Sequence, residues 1–222
     1  MNTEIEQEKF EGGYYHIYNR GSDKRDIFMD ERDYERFLEC LNFYNSPNQI
    51  DLYKIKREDP ISPRLGEIGS SLCSLGFVEV FCYCLMPNHF HLILKEPVEG
   101  GIAKFMHKVG IGYTMYFNKK YDRSGHLFQG KYKHKGLDAD FYLTYLTGYI
   151  HLNPIMAGLV KFPEQYKYSS YLDYLGENKT DFLEFKSEEL EIKMKDYEKF
   201  IKELKDDKEV LRKVEEVGLD DD

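Results

Sequence analysis

The chain has no tryptophan, only seven prolines and four cysteines in 222 residues, and no run approaching the roughly 20 apolar residues that span a bilayer. Cys40, Cys73, Cys82 and Cys84 form no Cys-x-x-Cys pair, which argues against a disulfide framework or a cysteine-based zinc site and predicts buried free thiols. The stretch Met1 to Glu11 is polar and acidic and lacks the apolar core of a secretory signal, so the expectation is a cytoplasmic protein with no membrane partner. At this length one substantial core plus an appendage is expected.

The formal net charge of -9 would ordinarily argue against a nucleic-acid partner, but the charge is unevenly distributed. Residues 176–222 hold 10 Lys/Arg against 17 Asp/Glu, a net of -7, which leaves -2 for residues 1–175. Between Gly101 and Gly136 the sign reverses: Lys104, Lys108, Lys119, Lys120, Arg123, Lys131, Lys133 and Lys135 face only Asp122, a net of +7. A basic segment of this kind fits either a solvated helix surface or a phosphate-binding face.

Tyr14 to Arg20 is aromatic-rich and runs into Gly21, predicting a first strand and a turn. Asp30 to Tyr44 carries Phe37, Leu38 and Leu41 at helical spacing. Residues 46–76 show little periodicity and read as an insertion or a long connection. Phe77 to Leu85 predicts a second strand, Met86 to Asn88 a tight turn, and His89 to Lys95 its hairpin partner. Ile102 to Phe117 is a helix with Phe105, Val109 and Tyr113 on one side and Lys104 and Lys108 on another. Lys131 to Leu137 predicts a fourth strand, and Asp138 to Asn153 a third helix with Asp138 as N-cap and Pro154 placing Asn153 at or near the helix end. This order predicts an α+β fold: a ferredoxin-like or RRM-like antiparallel sheet with helices on one face. After Gly176, Leu190, Met194, Tyr197, Ile201 and Leu204 recur every three or four residues, predicting an acidic, amphipathic C-terminal helical extension with a frayed end from Gly218 to Asp222. The expected organisation is one main domain over 1–175 and a tail over 176–222.

His89-Phe90-His91 interrupts an otherwise apolar run. Side chains alternate on a strand, so the two histidines share a face with Cα atoms about 6.6 Å apart, a separation suited to two imidazoles on one ion. Phe90, Leu92 and Leu94 point the other way and would anchor the strand in the core. Two hydrogen-bonded core histidines are the competing account. Farther along, Tyr149 and Asn153 are four apart and share a helix face, whereas His151 points elsewhere.

Four ordered motifs, Tyr14-Tyr15-His16-Ile17-Tyr18-Asn19-Arg20-Gly21, Met86-Pro87-Asn88-His89-Phe90-His91, Gly125-His126-Leu127-Phe128-Gln129-Gly130 and Tyr149-Ile150-His151-Leu152-Asn153-Pro154 with the following Ile155 to Val160, resemble the REP-associated tyrosine transposases of the single-tyrosine HUH superfamily. The resemblance covers about residues 10–172. It implies His89 and His91 as paired metal ligands with Asn153 as a further one, Tyr149 as the nucleophile, and Mg²⁺ or Mn²⁺ as the ion, although imidazole donors alone favour Mn²⁺ or a later metal over Mg²⁺. It further implies a 5′-phosphotyrosine intermediate on single-stranded DNA bearing hairpins, with no nucleotide cofactor. Tyr142 and Tyr145 lie on nearly the same helix face, and the flanking Ile-His-Leu-Asn-Pro is what singles out Tyr149. Asn19, Arg20, Lys104, Lys108, Gln129, Lys131 and Lys133 are the candidate DNA contacts: Arg and Lys hold phosphate, Asn and Gln read base edges. Tyr168-Ser169-Ser170-Tyr171 sits where relatives often carry Trp before a serine pair. Two other functions fit the same residues, a domesticated hairpin-binding protein without chemistry and a metal-dependent phosphodiesterase that uses water. Monomer and homodimer both remain open at this stage.

Overall fold

The computed structural model describes residues 13–45, 76–97, 99–137, 140–185, 189–190 and 192–218. Four strands, β1 (Tyr14–Arg20), β2 (Glu79–Met86), β3 (His89–Lys95) and β4 (Lys133–Leu137), form one antiparallel sheet in the order β2-β3-β1-β4. The hairpin turn between β2 and β3 is Pro87-Asn88, as the sequence predicts.

Helices α1 (Glu31–Tyr44) and α2 (Gly101–Lys120) cover one face of the sheet. The α1 helix begins at a capping box in which Asp30 accepts from the backbone N–H of Asp33 and Asp33 accepts from that of Asp30, satisfying donors the first turn leaves open. Phe37 and Leu41 then meet Phe105, Val109 and Tyr113 of α2 over Ile17, Phe90, Leu92 and Leu94 of the sheet. The carboxylate of Asp33, fully buried, receives the ammonium of Lys120 at 2.7 Å and the hydroxyls of Tyr121 at 2.7 Å and Tyr116 at 3.1 Å. Hydrogen bonds to Asp30 and Asp33 raise the Lys120 pKa despite partial desolvation. One lysine of the basic segment is therefore a structural clamp between the two helices.

The expectation of helices on one face is corrected by the structure: α3 (Asp140–Met156) crosses the opposite face, and α5 (Tyr197–Asp206) and α6 (Lys208–Gly218) pack beside it. The physical reason lies in β2, where every residue from Val80 to Met86 is buried, the mark of a strand covered on both sides. A register shift between Val80 and Cys82 inserts Phe81 as a bulge, and Phe81 and Cys82 both join the α3 side, followed by Cys84 and Met86. A four-residue helix, α4 (Tyr171–Tyr174), closes this side, with the Tyr174 hydroxyl donating to the carbonyl of Phe81 at 2.7 Å. The helix expected to stop at Asn153 runs on to Met156, which leaves Asn153 near its end, as Pro154 suggests. A proline there removes only a bond of the last turn, and the helix stops at Gly158, whose φ of +70° suits the left-handed conformation that terminates helices.

Asp138, expected as an N-cap, Cys73, residues 46–75 and the end after Gly218 lie outside the described residues. Among those described, no helix is long and apolar enough to cross a membrane. The tail helices are amphipathic as expected, and Tyr197, Ile201 and Leu204 are buried against α3, where Gly148 leaves room for the Leu204 side chain. Ile201→Ala should therefore cost about 2–5 kcal/mol and lower the urea midpoint of the whole protein in one transition. Separate melting of the tail, with the main midpoint unchanged, would show that the tail is not part of this core.

Candidate active site

The register of β1 against β3 sets the site. Tyr18 pairs with His91 and Arg20 with His89, so His16, two residues along β1, lies diagonally across from His91 on the same face. His91 is 3 % exposed and His16 fully buried, and Nε2 of His16 is 3.0 Å from Nδ1 of His91. The two rings stack at 5.2 Å with Tyr18 beside them, its centroid 4.9 Å from that of His16. His89 stands edge-on to His91 at 5.0 Å, and its Nδ1 donates to Oδ1 of Asn88 at 2.6 Å. Burial, and then the neighbouring His89, His16 and Arg20, push the His91 pKa well down, so its imidazole is neutral at ordinary pH. A neutral ring held at Nδ1 offers Nε2 as a ligand atom.

Tyr149 lies on the same side of the sheet. It is 4 % exposed and shares an apolar cluster with Cys84, Met86 and Ile93; Cys84 pairs with His91 and Met86 with His89. Four residues on, Asn153 donates its side-chain amide to the Tyr149 carbonyl at 3.1 Å, which leaves its Oδ1 as the atom able to meet a cation. The described residues contain no group of three or more His, Cys, Asp or Glu placed to hold a metal ion; His89, His91 and Asn153 would be the residues to hold a divalent ion, through two imidazoles and an amide oxygen.

His151 does point away from Tyr149, into the core. Its Nδ1 is 2.7 Å from the Tyr197 hydroxyl of α5 and its Nε2 is 2.8 Å from Oγ of Ser170, which in turn accepts from the backbone N–H of Tyr83 at 3.0 Å. Burial lowers its pKa to about 3. This gives Ser170 a structural role, while Tyr168 stacks on Tyr34 at 3.7 Å between centroids.

The candidate DNA contacts divide. Asn19 donates to the carbonyl of Gly130 at 3.0 Å, and Gln129 donates its backbone N–H to the carbonyl of Arg20 at 2.9 Å, so the end of β1 and the Gly125–Gly130 loop form one ledge with exposed Lys131 and Lys133 beyond it. Lys104 looks across from α2 over a groove of about 920 Å³ that Asn19 and Lys131 also line. Lys108 is apart from this groove, against the Phe77 ring at 4.8 Å. Strand alternation puts Asn19 on the α1 and α2 face and Arg20 on the histidine face. His16 is the site residue that sequence reasoning did not assign; its alternation with Tyr18 was a signal, but its partner lies 75 positions away.

Residues 53–153 match the family model described as IS200-like transposase, a span that holds the histidine pair, the Gly125–Gly130 loop, Tyr149 and Asn153. The match begins within the stretch expected as an insertion. A solved structure of a REP-associated tyrosine transposase bound to a REP hairpin is similar in fold, with a TM-score of 0.53 and 14% identity over 82% of this chain and 92% of that one. No curated protein is significantly similar in sequence.

The buried thiols near the site bear on its chemistry. Cys82 and Cys40 are pushed up to about 12 by burial, and Cys84 well above its ordinary value. At pH 8 a thiol with Cys82's pKa of about 12 is thiolate in only about one molecule in ten thousand, as befits a packing group. Native protein treated with a disulfide reagent at pH 8 should leave Cys40, Cys82 and Cys84 unmodified when mapped by mass spectrometry, and unfolding should expose all three. Rapid native labelling of Cys84 would instead mark a reactive thiol beside His91.

Proposed function

We propose that this protein is a transposase that nicks and rejoins single-stranded DNA at hairpin-bearing ends through Tyr149. Attack by the Tyr149 oxygen on a backbone phosphorus forms a phosphotyrosine on the 5′ side; the bond to the 3′ oxygen breaks, and the phenolic proton ends on the released 3′ hydroxyl. The bond energy is retained, so the 3′ hydroxyl of another strand reverses the step and no nucleotide cofactor is needed. A divalent ion, Mg²⁺ or Mn²⁺, held by His89, His91 and Asn153 would neutralise a phosphoryl oxygen. The observation that carries this reading is the shared sheet face of Tyr149 and the two histidines, both engaged at Nδ1. The hairpin substrate is supported by the similar fold of the hairpin-bound REP-associated transposase.

At 4 % exposure Tyr149 is covered in this conformation, so α3 or a neighbouring segment must yield for a strand to reach it. Binding would be distributed over Asn19, Arg20, Gln129, Lys131 and Lys133 on the ledge and Lys104 across the groove, with Lys108 an outlying contact.

Wild type and Tyr149→Phe incubated with labelled hairpin-bearing single strands and Mn²⁺ should differ completely: a denaturant-resistant adduct from wild type and none from the variant. Cleavage by both without an adduct would replace the tyrosine by water as nucleophile, and binding without cleavage would leave a hairpin-binding protein. Removing two phosphate contacts with Lys131→Ala and Lys133→Ala should weaken binding evenly across sequences and flatten the salt dependence by about one unit of slope per lysine; an unchanged slope would move the DNA off the ledge.

A further inference from the structure

We propose that His16 is a positioning residue for His91: its imidazole accepts the Nδ1–H of His91 and so fixes the tautomer in which His91 keeps a lone pair on Nε2. This rests on the metal-binding reading of His89 and His91 for its functional meaning, although the tautomer itself does not. Between His16 Nε2 and His91 Nδ1, 3.0 Å apart, there is room for one hydrogen. If it belongs to His91, Nε2 of His91 is a ligand atom; if it belongs to His16, His91 carries its other hydrogen on Nε2 and cannot bind a cation.

One observation favours the first arrangement, and two more fix the geometry in which it operates. The adjacent histidine uses the same device, with Nδ1 of His89 donating to Asn88, whose oxygen can only accept. His16 is fully buried on a central strand and stacked on both Tyr18 and His91, so its ring orientation is set by packing. The pairing of Tyr18 with His91 makes position 16 the diagonal neighbour of His91 on that face of β1. A hydrophobic side chain there would fill the space and remove the acceptor.

The test begins with metal-free wild-type protein carrying ¹⁵N-labelled histidine. Long-range ¹H–¹⁵N correlations should show His91 protonated at Nδ1 and bare at Nε2. In His16→Phe this preference should be lost and Mn²⁺ affinity, followed by the electron paramagnetic resonance of free Mn²⁺, should fall about 10- to 100-fold, whereas His16→Gln, whose amide oxygen approaches the Nε2 position, should stay within about threefold of wild type. Thermal melts of both variants separate loss of the fold from loss of the tautomer. A wild-type His91 protonated at Nε2, or a folded His16→Phe that binds Mn²⁺ as wild type does, would overturn the proposal. A bare Nε2 without Mn²⁺ binding in wild type would uphold the positioning and overturn the metal reading.

Discussion

The antiparallel pairing of β1 with β3 fixes more of this molecule than any other interaction. Register is all-or-none on a strand, because a slip of one residue carries every side chain to the opposite face. With Tyr18 against His91 and Ile17 against Leu92, the apolar residues Ile17, Phe90, Leu92 and Leu94 enter the core under α1 and α2, while His16, His89 and His91 gather on the other side. The slipped register would bury two imidazoles among phenylalanines and leucines without partners, at a cost of several kcal/mol. The same hydrophobic alternation that stabilises the fold therefore orients the candidate ligands, and the site requires no separate scaffold.

The second constraint is the double burial of β2. An antiparallel sheet commonly leaves one face to solvent, and here that face is taken by α3, which in turn needs a cover of its own. The tail supplies it: Tyr197, Ile201 and Leu204 close over α3, and the Tyr197 hydroxyl reaches His151 between Tyr149 and Asn153 in sequence. Its surface acids pair at helical spacing with lysines, Glu198 with Lys202 and Glu209 with Lys213, exposed contacts that solvent screening leaves with little net stability. The negative charge of the tail thus reflects a solvated outer face, and its structural contribution comes from the apolar stripe beneath.

Much of this was legible because period and turn chemistry agreed. The Pro87-Asn88 turn, the alternation from His89 to Lys95 and the spacing of Phe105, Val109 and Tyr113 each pointed to the element found there. The placement of α3 was less legible. The continuous apolar run of β2 was itself the sign of a strand covered on both faces, and reading it simply as core concealed that a second layer of helix was needed. Pro154 marked the end of α3 only to within a turn: the rule that proline ends a helix concerns the hydrogen bond it removes, and in the last turn that loss is small. His16 stayed unassigned because its meaning depends on a cross-strand diagonal, which the chain expresses only after the register is set.

The basic segment shows how a sequence count overstates what is available for binding. Of its eight cations, Lys120 is held by Asp30 and Asp33, Arg123 lies over the Phe117 ring, and Lys108 lies over Phe77. Lys104, Lys131 and Lys133 are the exposed candidate contacts, with Lys104 and Lys131 facing the groove and Lys133 near the Tyr18 ring at 5.7 Å. Tyr18 stacks on His16, so this lysine and the histidine cluster meet at one end of β1. Positive charge on the exposed strand edge thus adjoins the buried imidazoles across a single residue of β1, so that a phosphate held by Lys133, as proposed, would lie beside the histidine cluster.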